Sequence, residues 1–367
     1  MSCKNNMICQ NNIGCQNNTL FSWGLNSFGQ LGDGTNINKN IPVKVISGVT
    51  GLFNPIAISA GRFHSLAIDS NNRAWAWGRN DNGQLGDGTN TDSNIPVQVS
   101  KSTGLTNVIA ISGARFHSLA IDCSGQAWAW GFNNRGQLGN GVTGGSSNIP
   151  VQVDTTTGLT NVISIAGGGN HSLAIDCNGQ AWAWGRNNFG QLGNNTTTDS
   201  NTPVQVSGGT GLSNVIAIAG GNFHSLAIDC SGQAWAWGRN DDGQLGDGTN
   251  FNRDEPVQVI GLSNIIAIAA GRDHSLAIDS DGQAWAWGLN NRGQLGNGVT
   301  GGSSNTPVAV DTTTGLTNVI AIAGGQTHSL AIDSDGQAWA WGRNNSGQLG
   351  DGTNNNSNTP VQVSGGA

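Results

Sequence analysis

The chain contains no tyrosine and only four lysines among 367 residues (Lys4, Lys39, Lys44, Lys101), and charged side chains make up just 10% of it. A phosphate-binding surface concentrates Lys and Arg, so a formal charge of −7 makes nucleic acid a poor candidate partner. No apolar run approaches the roughly eighteen residues that cross a bilayer, so no membrane span is expected. The N-terminal MSCKNNMICQNNIGCQ lacks the continuous apolar segment of a signal peptide. Helix has little support too: there are 58 glycines, and no apolar stretch keeps a 3.6-residue period for three turns.

What the chain has is repetition. Gly-Gln-Leu-Gly occurs at Gly29, Gly83, Gly136, Gly190, Gly243, Gly293 and Gly347, and His-Ser-Leu-Ala-Ile-Asp at His64, His117, His171, His224, His274 and His328. Trp-Gly pairs at Trp23, Trp77, Trp130, Trp184, Trp237, Trp287 and Trp341 set a period of 50 to 54 residues. Short alternating segments punctuated by glycine at such a period mark a propeller or solenoid. A longer copy is visible as well, because Asn133 to Ile165 nearly recurs 157 residues later, a trace of block duplication.

Each unit reads as four strands. In one copy these are A (Ile109 to Ser112), B (His117 to Asp122), C (Gln126 to Trp130) and D (Pro150 to Val153), with the leading proline of D suited to a sheet edge. Alternation is expected to place Leu119, Ile121, Trp128 and Trp130 on one face and Ser118, Ala120, Ala127 and Ala129 on the other, so that the bulky face of one sheet nests on the lean face of the next. Thirteen tryptophans are thereby packing residues. Seven C and seven D strands can be counted, but only six A and six B strands, since the unit containing Trp23 has no inner pair. Residues 1–18, with Cys3, Cys9 and Cys15 each followed two positions later by Asn-Asn, form a separate low-complexity arm. That arm is the only unassigned segment able to cover the unpaired backbone of the short sheet.

The pattern running from Gly113 to Gly139, through His117-Ser-Leu-Ala-Ile-Asp, Trp128-Ala-Trp-Gly and Gly136-Gln-Leu-Gly, resembles the repeat of the RCC1 (regulator of chromosome condensation) family. The resemblance covers residues 19–363. It implies an all-β, RCC1-like β-propeller of seven four-stranded blades, one of them completed by terminal segments, with residues 19–367 as the propeller and 1–18 as the arm. Members of that family include a chromatin-bound nucleotide exchange factor, a plant ultraviolet photoreceptor, a bacterial β-lactamase inhibitor and adaptors. The exchange factor's protruding wedge and basic side have no counterpart here. The photoreceptor's Gly-Trp-Arg-His-Thr corresponds to Gly61-Arg-Phe-His64 and its equivalents, which carry no tryptophan.

The residues offer little chemistry. Six histidines at one position per unit are spread around a ring instead of converging on an ion, so no metal is expected, and a hydrogen-bonding role inside the blade is the better reading. Aspartates ending strand B (Asp69, Asp122, Asp176, Asp229, Asp279, Asp333) are expected to accept turn N–H groups. The Gly-Asp-Gly-Thr-Asn loops at Asp33, Asp87, Asp247 and Asp351 lack the carboxylate density of calcium sites and read as structural turns. No nucleophile stands at a diagnostic spacing from a base, so neither enzyme activity nor a cofactor is expected.

Departures from the repeat are more informative. The A–B turns carry Arg62 and Phe63, Arg115 and Phe116, Phe223, and Arg272 in different units, and the position after Trp-Gly carries Arg79, Phe132, Arg186, Arg239 and Arg343. These positions are expected to share one face near the channel mouth, where exposed Arg and Phe together suit a protein interface. Cys123, Cys177 and Cys230 occupy the B–C turn in three successive units. Such turns are too far apart to bond one another, whereas a stride of six extended residues, that of Cys3, Cys9 and Cys15, covers roughly 20 Å. Two functions follow as expectations. One is a non-enzymatic structural propeller that self-assembles as an oligomer or fibre, its arm docking on a neighbouring ring through up to three intermolecular disulfides. The alternative is an RCC1-like regulator, adaptor or inhibitor that binds a protein through its loop face. Oxidised cysteines would favour an extracellular or cell-surface setting, reduced ones the cytoplasm.

Overall fold

The computed structural model describes residues 19–46, 51–207, 209 and 211–365. Twenty-six strands make up its regular structure, and among the described residues there is no helix, hence none long and apolar enough to cross a membrane. All pairing is antiparallel. Six four-stranded sheets, spanning 55–98, 108–152, 162–205, 215–258, 265–309 and 319–362, succeed one another around a ring, and a two-stranded sheet joins Phe21–Gly24 to Lys39–Lys44. In the second complete blade strand A is Val108–Gly113, B His117–Asp122, C Ala127–Phe132 and D Ser146–Gln152, within a few residues of expectation. Pro150 lies where the C–D ladder shifts register, between Ser147 and Val151, so the missing N–H breaks no regular bond.

The pairing register corrects the expected faces. Leu119 is opposite Ala129 and Ile121 opposite Ala127, while Ala120 is opposite Trp128 and Ser118 opposite Trp130. Directly opposed residues share a face, so each face combines one bulky strand with one lean one. The Leu-Ile-Ala-Ala face of the second blade (Leu119, Ile121, Ala127, Ala129) packs against Ala174, Trp182 and Trp184 of the third. The same cluster recurs between other neighbours, so the core is a series of inter-blade layers.

Gly-Gln-Leu-Gly is the clasp between blades. Gly83, at φ +75, lies so close to Asn148 of the next blade that a Cβ would sit 2.4 Å from its Cα, and a Cβ on Gly86 would sit 2.6 Å from the indole nitrogen of Trp130. Only glycine permits these approaches. The carbonyl of Gln84 between them accepts the Trp130 indole N–H at 2.9 Å and the Ser118 hydroxyl at 2.8 Å.

The histidines also link blades, contrary to the expected role inside a blade. Nε2 of His64, His117, His171, His224 and His274 lies 2.8–3.0 Å from Oγ of Ser118, Ser172, Ser225, Ser275 and Ser329 respectively, always in the following blade. Each of these serines gives its own proton to a glutamine carbonyl, so it accepts from histidine and fixes the Nε2–H tautomer. The aspartates behave as expected and do one thing more. Asp122 Oδ1 accepts the N–H of Ser124 and Gln126, while Oδ2 accepts the Trp128 indole N–H at 2.8 Å. In the loops, Asp87 accepts the Thr89 N–H and the Asn80 side chain, a turn architecture.

Among the described residues the ring shows six four-stranded blades and one two-stranded half-blade, where seven blades were expected with one completed by terminal segments. The outer ring still closes through the half-blade: Trp23 Nε1 donates to Gln348 O at 3.1 Å and Gly352 N to Asn40 O at 2.8 Å. Its A and B strands are absent among the described residues. The arm, with Cys3, Cys9 and Cys15, lies outside the described residues.

Candidate protein-binding face

Strands A and C both run toward one face of the ring, so the A–B turns and the residues after Trp-Gly emerge there together. Adjacent A–B turns are tied by backbone bonds, among them Arg62 N to Ala114 O and Arg115 N to Gly168 O, both 3.2 Å, which brings the arginines of successive blades to the channel mouth. Arg79 is the hub of the first cluster. Its guanidinium carbon lies 5.0 Å from the Phe28 ring centre, 5.6 Å from Phe63 and 5.8 Å from Phe116. Arg62 stacks on Phe63 at 4.6 Å and Arg115 on Phe116 at 4.8 Å. Phe28 meets Phe63 and Phe116 meets Phe132 edge to face, at 5.3 and 6.0 Å. Across the third and fourth blades Arg186 stacks on Phe223 and Arg239 lies over Phe189, with the two rings 5.2 Å apart.

Charge divides this face. Toward the fifth blade the arginines are neutralised: Arg239 Nε bonds Asp241 at 2.8 Å, and Arg272 Nε meets Asp273 at 3.1 Å. Burial holds the carboxyl of Asp273 above the usual carboxylate range despite those arginines. On the other side Arg62 and Arg115 have no acidic partner, and the Nε of each is buried without a hydrogen-bond acceptor among the described residues. Burial, reinforced by Arg115, Arg272 and Arg79, brings Arg62 down to about 10, and burial with Arg272 and Arg186 lowers Arg115, with Asp273 acting in the opposite sense.

Ten of the eleven arginines and phenylalanines singled out from the sequence therefore meet on one face: Arg62, Phe63, Arg79, Arg115, Phe116 and Phe132 in the first cluster, and Arg186, Phe223, Arg239 and Arg272 beyond it. Arg343 is exposed on the sixth blade, with no ring or acid against it among the described residues. Phe28, Phe189 and Asp273 were missed. The signal for the two phenylalanines was the residue before Gly-Gln-Leu-Gly, which is Asn, Arg, Asp or Ser in the other units. Cys123 and Cys230 are exposed unpaired thiols and Cys177 is half-buried, all in B–C turns on the opposite face.

A model described as the RCC1-like domain matches residues 146–325, and the regulator of chromosome condensation (RCC1) repeat matches 17–68, 71–121 and 335–367. The chain is 33% identical over 345 residues to the ultraviolet-B receptor UVR8 of Arabidopsis thaliana, covering 93% of this chain and 64% of the receptor. It is 33% identical over 241 residues to the E3 ubiquitin-protein ligase HERC2 of Homo sapiens, covering 65% of this chain and 5% of the ligase. The chain thus spans less than two thirds of the length of these relatives. Among solved structures, human WBSCR16 superposes with a TM-score of 0.85 at 23% identity, covering 94% of each chain. Prp20p of Saccharomyces cerevisiae, described with its binding properties to Gsp1p and histones, superposes with a TM-score of 0.79 at 24% identity, covering 94% of this chain and 86% of that one. These two likenesses speak for the fold alone.

Proposed function

Because the chain belongs to the RCC1-repeat family, we propose that it is a non-enzymatic protein-binding module whose A–B turn face receives an acidic segment of a protein partner. The observation that carries this is the pair Arg62 and Arg115, stacked on Phe63 and Phe116 and lacking acid partners, in a chain whose formal charge is −7. Arginine on aromatic rings, partly desolvated, is the composition of an interface hot spot, and carboxylates are its natural counterpart. Protein binding named for relatives such as Prp20p agrees with this use of the fold. The test is fluorescence anisotropy with a labelled oligoglutamate peptide. The intact chain is expected to bind it in a salt-sensitive way, and Arg62→Glu with Arg115→Glu to weaken binding by at least about tenfold. Equal binding by both proteins, or none by either, ends this reading.

Self-assembly is a second reading, favoured by exposed Cys123 and Cys230 in B–C turns one blade apart from that of Cys177. In it Cys3, Cys9 and Cys15 of one molecule bond these turn cysteines of a neighbouring ring, giving a head-to-tail oligomer or fibre in an oxidising compartment. Non-reducing electrophoresis of native material decides: a ladder collapsed by thiol supports it, and a monomer with six titratable thiols removes it.

A further inference from the structure

One position of the A–B turn stands at the channel mouth in every complete blade, and it carries no acid. From the first blade to the sixth it reads Arg62, Arg115, Gly169, Asn222, Arg272 and Gln326. The turns are fastened into one rim, because Gly169 N to Gly221 O, Asn222 N to Arg272 O and Arg272 N to Gly325 O continue the backbone bonds of Arg62 and Arg115 at 2.9–3.2 Å. The strands beneath are equally close: a Cβ on Gly113 would sit 2.5 Å from Gly61 N, and one on Gly324 2.4 Å from Gly271 N. A mouth this narrow lets side chains reach across it. Arg115 Nη1 lies 3.4 Å from Asn222 Oδ1, two blades away.

Cations from three blades meet there. Arg272 belongs to the fifth blade, yet after burial it is among the causes that lower both Arg62 in the first and Arg115 in the second, so its charge is felt across the mouth. Arg62 and Arg115 form no salt bridge among the described residues, and each keeps a buried Nε without an acceptor there. Arg272 shares Asp273 with Arg239. That carboxylate stands one position further along the turn, where other blades have Phe63, Phe116 and Phe223, and with Asp241 and Asp242 it lies beside Arg239. The rim itself therefore offers guanidinium donors from three directions, joined by the carboxamides of Asn222 and Gln326. A carboxylate presents two oxygens in one plane and satisfies one guanidinium, whereas linked phosphoryl groups present oxygens and charge on several sides.

The geometry points to a binding site for a small phosphate-class polyanion at the channel mouth, with Arg62, Arg115 and Arg272 each taking oxygens from its own side and the ligand replacing Asn222 as acceptor for Arg115. The site shares Arg62 and Arg115 with the acidic-segment reading but does not rest on a protein partner, since Arg272 has no part in that reading. Isothermal titration calorimetry of the full chain with sodium triphosphate, and with sodium sulfate at equal ionic strength, tests it. One triphosphate per chain is expected, bound at least about tenfold more tightly than sulfate. Arg272→Gln, which installs the side chain that the sixth blade already carries at this position, should weaken triphosphate binding at least about tenfold, and Arg343→Gln, away from the rim, should leave it unchanged. Absence of saturable binding, sulfate bound as tightly as triphosphate, or equal affinity in Arg272→Gln and Arg343→Gln overturns the proposal. Oligoglutamate titrated into the same proteins keeps the two readings apart. Peptide binding without triphosphate binding removes the anion site alone, and triphosphate binding without peptide binding removes the protein-partner reading alone.

Discussion

Lowering the pH from 7.5 to 5.5 is expected to destabilise this ring severely, through five histidines that cannot accept a second proton where they sit. His64, His117, His171, His224 and His274 are at most 1% exposed, and each commits its Nε2–H to a serine of the next blade. The unprotonated Nδ1 of each is buried with no partner among the described residues, against a glycine such as Gly168. Protonation would place a charge in this buried position, and burial accordingly depresses these groups to about 3 or 4. In the unfolded chain the same side chains titrate near ~6.5. Between those values the unfolded state binds more protons than the folded one, so stability is fully present above the unfolded value and is lost as pH falls below it. At pH 5.5 each group costs about 1.4 kcal/mol, and five together about 7 kcal/mol, a large share of the ~5–15 kcal/mol that holds a domain folded. Urea unfolding at pH 7.5, 6.5 and 5.5, with His171→Gln beside the parent, reads this directly. Glutamine keeps an N–H for Ser225 but does not titrate, so the variant is expected to lose about one fifth of the pH dependence. An unchanged urea midpoint across that range, or a variant whose dependence equals the parent's, would refute the neutral-relay reasoning.

Three further substitutions test the turn and the inter-blade contact beside the relay histidine. Asp176→Ala removes the acceptor of the Trp182 indole at 3.0 Å and of the Asn178 and Gln180 amides, and about 3 kcal/mol of stability should go with it, read as a lower urea midpoint; a midpoint equal to the parent's contradicts the role given to that carboxylate. Gly168→Ala puts a Cβ 2.2 Å from His171 Cε1 and 2.8 Å from Gly221 O, so it should cost about 3 kcal/mol or more. Gly145→Ala, with nothing within 4 Å, should cost only the ~1 kcal/mol of a left-handed backbone. Equal melting of these two alanine variants would mean that the inter-blade contact yields freely.

The strand menu was legible because its signals are local: His117–Asp122 alternates, and glycine or Asn-rich turns bound it. The faces were not, because alternation within a strand says nothing about register between strands. Whether Trp128 lies beside Ile121 or beside Ala120 is decided by the turn joining B to C, where Asp122 gathers the N–H groups of Ser124 and Gln126. The histidine relay was hidden for a related reason. Its partner is 51–55 residues away in the next unit, a distance that only the closed ring makes short. The turn-face cluster could be read in part, since Arg62 and Phe63 break the repeat, while the pairing of Arg239 with Asp273 joins side chains from different blades.

Symmetry explains where function can reside in such a chain. The repeated polar groups are occupied in holding the ring together: histidine, serine and the glutamine main-chain carbonyl between blades, and aspartate under the turn and indole within each blade. A residue engaged six times over in packing has no freedom to recognise a partner without loosening the ring. Recognition therefore falls to positions where the units differ, and two such places exist among the described residues. One is the turn face, where Arg62 and Arg115 form no salt bridge among the described residues while their counterparts Asn222 and Gln326 carry no charge. The other is the half-blade, where Phe21 stands at the position that carries tryptophan in the six complete blades and no strand-B aspartate faces it among the described residues. Restoring the indole alone, as Phe21→Trp, should then yield no stability. A gain of about 1–2 kcal/mol from that change, read as a higher urea midpoint, would show that the indole finds an acceptor without a strand-B aspartate.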